Sequence, residues 1–144
     1  MAYTDIWWTA PTEAENGNVV IVTGRDRIDD LINSGKYIYR VEVRWRYEGG
    51  AMPDTATSQL MEDATEALKA TFKKDRVAVL TGIYTGDGQR DWIFYVKKLN
   101  VFNTAFNRAL ADLPMLPLEV EAFSDPDWEE YHEMRDNSYI PDED

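Results

Sequence analysis

The longest alternation in the chain runs from Tyr37 to Tyr47, where Tyr37, Tyr39, Val41, Val43, Trp45 and Tyr47 interleave with Ile38, Arg40, Glu42, Arg44 and Arg46. A period of two places the first set on one face of a β-strand and the second on the other. The segment therefore belongs to a sheet with one apolar and one charged side. Such a sheet needs a second layer over its apolar side. After the turn-rich run Glu48-Gly-Gly-Ala-Met-Pro-Asp54, the residues Leu60, Met61, Ala64, Ala67, Leu68, Thr71 and Phe72 recur at helical spacing as far as about Lys74. Lys73 and Lys74 suit the negative end of that helix.

Two β-rich runs follow, Val77 to Tyr84 and Trp92 to Val96, with Thr85-Gly-Asp-Gly-Gln89 between them as a hairpin connection. Phe102, Ala105, Phe106, Ala109, Leu110 and Leu113 describe a second amphipathic helix that Pro114 and Pro117 end. Leu118, Val120 and Ala122, alternating with Glu119, Glu121 and Phe123, give a last strand. The order strand, helix, strand, strand, helix, strand predicts an α+β fold, a ferredoxin-like βαββαβ sandwich with core 36–124 and both helices on one sheet face. Its other face is left to be covered or used. Before this core, Asn16-Gly17 marks a hairpin between Ile6–Thr9 and Val19–Thr23, and Arg25–Asn33 reads as a short helix ended by Gly35. After it, Asp125 is placed to cap a short helix beginning at Pro126, with Trp128, Tyr131 and Arg135 on one face. One domain over 1–136 and a flexible acidic tail over 137–144 are expected.

A length of 144 residues suits one core without staples, and the chain has no cysteine. Thiolate catalysis, disulfides and cysteine-held zinc or iron–sulfur sites are thereby excluded. The start lacks a basic leader, and no segment approaches the roughly 18–20 apolar residues of a membrane span, so a soluble cytoplasmic protein is expected.

The net charge of −12 is concentrated at one end: Glu119–Asp144 hold eleven acidic side chains against Arg135 alone. An acidic end attracts basic partners and repels polyanions. Asp125, Asp127, Trp128, Glu129, Glu130 and Tyr131 form the candidate interaction surface. Asp125, Asp127 and Glu129 lack the glycine turn and distal Glu of a calcium loop, so helix-end charge explains them and no metal is assigned. The glycines of Gly86-Asp87-Gly88 precede a strand rather than a helix, which favours a turn over a phosphate loop. His132, the one histidine, sits among acids and reads as a solvent-facing residue rather than a general base. Arg40, Arg44 and Arg46 are a weaker candidate surface, a sheet face that could bind nucleic acid with Trp92, Phe94 or Tyr95. Glu42 in the same row and the acidic end favour ion pairing for these arginines instead.

Several stretches together carry a resemblance: Arg44-Trp-Arg-Tyr47 before Met52-Pro53, Met61-Glu-Asp63, Thr85-Gly-Asp-Gly-Gln-Arg-Asp-Trp-Ile-Phe-Tyr95 and Asp125-Pro-Asp-Trp-Glu-Glu-Tyr131. They resemble an uncharacterised bacterial family, domain of unknown function 695, over Trp7 to Tyr131. The Asp-Pro-x-Trp ending is also distantly similar to the B-type regulators of ribonuclease E, which act by binding another protein. The first resemblance implies no catalytic residue and no cofactor. The expected function is a non-enzymatic protein-binding or regulatory module with an acidic C-terminal surface and a basic protein as partner, not nucleic acid or membrane. Two alternatives stand beside it. One is a small hydrolase or ligand-binding enzyme with a carboxylate site between sheet and N-terminal hairpin, using Asp87 and Asp91; the other is a polyanion mimic or immunity-type inhibitor of a basic partner.

Overall fold

In a computed structural model, which describes residues 5–49 and 51–141, the alternating segment forms the interior of one six-stranded sheet. The expected start at Met1–Thr4, Gly50 of the turn-rich loop and the last three residues of the acidic tail lie outside the described residues. The elements are β1 (Trp7–Glu13), β2 (Val19–Arg25), α1 (Asp29–Asn33), β3 (Tyr39–Arg46), α2 (Thr55–Lys74), β4 (Ala78–Gly86), β5 (Gln89–Val96), α3 (Leu99–Ala109), β6 (Leu118–Ser124) and α4 (Glu129–Ser138). The fold is α+β, and the strands lie in the order β1-β2-β4-β5-β3-β6 with every neighbouring pair antiparallel.

Val41, Val43 and Trp45 of β3 face the same side as Leu80, Trp92, Phe94 and Val96, and α2 and α3 cover that side with Met61, Leu68, Phe72, Phe102 and Phe106. Four phenylalanines form the centre: Phe72 and Phe106 stack on Phe102 at 5.3 and 5.5 Å between ring centroids, and Phe94 meets all three edge-on. Such ring pairs add about 0.5–1.5 kcal/mol each beyond area burial. Helix α2 begins where the Asp54 carboxylate accepts the Thr57 N–H at 2.7 Å and ends beside Lys73 and Lys74. Trp92 is polar at one point only, and its indole N–H donates to Thr65 Oγ1 at 2.9 Å.

The opposite side is covered only in part. Helices α1 and α4 pack there with Leu31, Tyr131 and Met134 against Val22, Val79, Ile93 and Tyr95. Two glycines leave room on this side, one for α4 and one for the neighbouring strand β1. A Cβ on Gly82 would lie 2.7 Å from Met134 Sδ, and one on Gly24 would overlap the Trp8 ring. The N-terminal hairpin is thus part of the sheet, paired to β4, with Trp8 donating its N–H to Ser138 of α4 at 2.9 Å.

Several boundaries differ from the sequence expectations. Tyr37 precedes β3 and is buried on the α4 side, apart from Val41 and Trp45, because the strand alternation begins only at Tyr39. Arg25 closes β2, and α1 starts at Asp29. Helix α3 stops at Ala109, with Leu110 and Leu113 in a turn that still packs on the core; Pro114 disfavours the helical conformation for the residue before it. Helix α4 starts at Glu129, not Pro126, and continues through Ser138, whose buried hydroxyl and the ring of Tyr139 dock residues 137–139 of the segment expected to be tail. Asp87 and Gly88, both at positive φ, make the two-residue turn between β4 and β5.

Candidate functional site

The sequence pattern places Arg40, Glu42, Arg44 and Arg46 on the side of the sheet away from α2 and α3. There each arginine has a carboxylate: Arg40 pairs with Glu42 and Asp125, Arg44 with Asp91 and Arg46 with Glu119, at 2.8–2.9 Å. The Arg40 and Arg44 pairs are partly buried, while Arg46 and Glu119 pair in the open. Glu42 and Glu121 stand opposite each other across β3 and β6.

The candidate interaction segment divides into anchors and surface. Trp128 and Tyr131 are buried, at 1% and 2% exposure. Trp128 stacks on Tyr95 at 4.0 Å between centroids, meets Tyr37 and Tyr131 edge-on and donates its indole N–H to the Tyr37 carbonyl at 3.0 Å. Its backbone adopts φ 56°, a left-handed conformation that bulky residues seldom take and that the surrounding rings hold in place. Asp125 is also buried. Its carboxylate accepts from Tyr95 Oη at 2.6 Å, from Arg40 at 2.8 Å and from the N–H groups of Glu129 and Glu130 at the start of α4. Burial opposes its ionisation, but these donors prevail and hold its pKa below the ordinary value. Of the six residues, Asp127 and Glu129 are exposed, and Glu130 is half-buried.

Glu130 is the unusual member. It sits where α4 crosses the sheet, in the wall between two open grooves of about 350 and 500 Å³. The Tyr84 hydroxyl donates to Oε2 at 2.6 Å, while Oε1 is buried without a hydrogen-bond partner. Burial pushes this carboxyl up to about 7; Tyr84 and Arg40 pull against the rise, and Glu42 and Asp125 add to it. Tyr84 is itself raised, by burial and by the neighbouring Glu130 charge. The smaller groove is lined further by Glu42, Asp87, Asp91 and Ile93, with Val20 of the hairpin closing one side. Asp87 and Asp91 therefore do reach a groove beside the N-terminal hairpin. Both are occupied: Asp87 accepts from Asn16 and Asn18 at 3.0 and 2.7 Å, which lowers its pKa and ties the two hairpin tips together, and Asp91 accepts from Arg44 and Gln89.

An arrangement of this kind offers negative potential, one unsatisfied acceptor and a carboxyl that changes charge near neutrality. Among the described residues no three acidic or histidine side chains are gathered closely enough to hold a metal ion. His132 is exposed, its ring against Tyr131 at 5.8 Å between centroids. Tyr84 and Glu42 are the participants that sequence reasoning did not select for this site. A bulge between Leu80 and Gly82 shifts the alternation of β4, so the face of Tyr84 was not readable from spacing, while Glu42, the one acid in a row of arginines, was a visible signal.

A family of unknown function, DUF695, matches residues 7–134. No curated protein and no solved structure matches the chain.

Proposed function

Because the chain belongs to DUF695, a family of unknown function, we propose from its own geometry that the protein is a binding module whose groove at Glu130 receives a cationic group, the basic side chain of a partner protein. The observation that carries this reading is the Glu130 carboxylate: one oxygen held by Tyr84, the other buried without a partner, beside Glu42 and Asp91. A lysine ammonium brings donors and no acceptor, which suits the one Glu130 oxygen left without a donor. Binding a cation favours the ionised carboxyl, so uptake releases a proton around neutral pH. Titration of the protein with N-acetyl-lysine amide, followed by NMR, tests it. Shifts are expected for Glu130, Tyr84 and Ile93, with loss in Glu130→Gln; shifts scattered over the acidic surface and unchanged by Glu130→Gln would defeat the reading.

Two further readings each draw on one observation. The near-neutral Glu130 carboxyl next to the Tyr84 hydroxyl suits proton transfer in a hydrolase-type reaction; turnover of a screened substrate that Glu130→Gln abolishes would favour it. The exposed acids Asp127, Glu129 and Glu133 suit a polyanion mimic or immunity-type inhibitor. In that case reversing those charges removes capture of a basic protein, and Glu130→Gln leaves capture intact.

A further inference from the structure

The two edges of the sheet are built differently. On β1 the edge carries Pro11, which has no N–H to offer a further strand. On β6 there is no proline or lysine and no bulge against β3, and among the described residues β3 is its one strand neighbour. Six of its seven residues are exposed. The row of backbone groups along its outer side is therefore open to pairing.

The side chains along this edge have a definite chemistry. On the α2–α3 side, Val120 is 47% exposed and borders a groove of about 480 Å³ lined by Phe106, Leu110, Leu113, Met115 and Leu118, with Met115 fully exposed. On the other side, Glu119 pairs with Arg46, but Glu121 has a like charge, Glu42, as its cross-strand neighbour on β3, and Glu42 is held by Arg40. Among the described residues Glu121 has no ion-pair partner within 4.0 Å. Like charges directly opposite across strands are unfavourable and opposite charges favourable. A second copy is a poor occupant. Its fully overlapped antiparallel register would set Glu121 against Glu121.

We propose that β6 is a docking edge for an extended segment of a partner protein, which adds to the sheet as a further strand with a Lys or Arg opposite Glu121 and an apolar residue opposite Val120. Main-chain hydrogen bonds supply the pairing, and alternate side chains supply the selectivity. The basic residue relieves the Glu42–Glu121 repulsion; the apolar residue covers Val120 and reaches the Leu113–Leu118 groove. This edge acts whether or not the Glu130 groove holds a cation.

The test uses the whole protein and a short blocked peptide that alternates lysine and valine. On binding, hydrogen exchange of the outward amides of β6 is expected to slow, with the largest NMR shifts in residues 118–124. Both Glu121→Lys, which exchanges attraction for repulsion at an exposed position, and Val120→Glu should weaken the peptide by about tenfold at low salt. A peptide of the same side chains N-methylated along one edge should not bind. Equal affinity of the N-methylated peptide, equal affinity of Glu121→Lys, or no change in β6 at millimolar peptide would each overturn the proposal. So would sedimentation of the free protein as a dimer that Val120→Glu dissociates, which would give the edge to a second copy.

Discussion

Replacing Glu130 by Gln removes a titration rather than a contact, because the amide can still accept from Tyr84. The Glu130 carboxyl lies at about 7 in the folded protein against an ordinary 4.5. A folded-state value above the unfolded one means that the folded state binds more protons between those limits. The stability contributed by this group is then fully present below about 4.5 and is lost as pH rises through about 7. A tenfold change in proton affinity is worth about 1.36 kcal/mol, so the loss across the window amounts to about 3 kcal/mol. Asp26 and Asp125 have lowered values, and their contributions are lost only as pH falls below the ordinary 3.8, outside this window. Urea unfolding at pH 5, 6, 7 and 8, followed by tryptophan fluorescence, should therefore show the native protein losing stability relative to Glu130→Gln as pH rises. The variant's own offset, from an amide N–H placed where Oε1 had no partner, shifts the whole curve and leaves the slope difference intact. A difference between the two proteins that stays constant from pH 5 to 8 would refute the reasoning, as would a carboxyl NMR titration midpoint for Glu130 near 4.5.

Trp128→Ala should cost about 3–5 kcal/mol by emptying the space between Tyr95, Tyr37 and Tyr131, lowering the melting midpoint by roughly 10–15 °C. Trp128→Phe should cost less, about 1–3 kcal/mol, chiefly from leaving the buried Tyr37 carbonyl without its donor, and calorimetry on the two variants separates packing from the hydrogen bond. Asp125→Asn keeps an acceptor for the start of α4 but loses the charge facing Arg40, so a deficit of about 1–3 kcal/mol at pH 7 is expected. That deficit should shrink as pH falls from the ordinary 3.8, where the unfolded chain takes up the proton, through the lowered folded-state value, where the native Asp125 does so too; a deficit independent of pH in urea unfolding would show that its ionisation contributes nothing.

Period and punctuation in the chain determined the element order from β3 to β6, because alternation and helical spacing are local properties that each residue satisfies with its near neighbours. The same is true of the hairpin at Asp87-Gly88 and of the carboxylate of Asp125 satisfying the first N–H groups of α4. Net charge located the acidic end. Long-range geometry decided the rest. Whether Trp128 is an anchor or a contact depends on Tyr37 and Tyr95, far away in sequence, and no local pattern distinguishes the two. Glu130 looks like one of several acids on a polar helix; it differs from Glu129 because Met134 meets Gly82 and Tyr84 lies beneath the crossing. Helix α3 tightens into a turn after Ala109, short of Pro114, and α4 runs on to Ser138, whose hydroxyl accepts from Trp8 of the distant hairpin; neither end was readable from spacing alone. A residue's type and spacing decide which face it occupies; its ionisation and exposure follow from what the rest of the chain brings against that face.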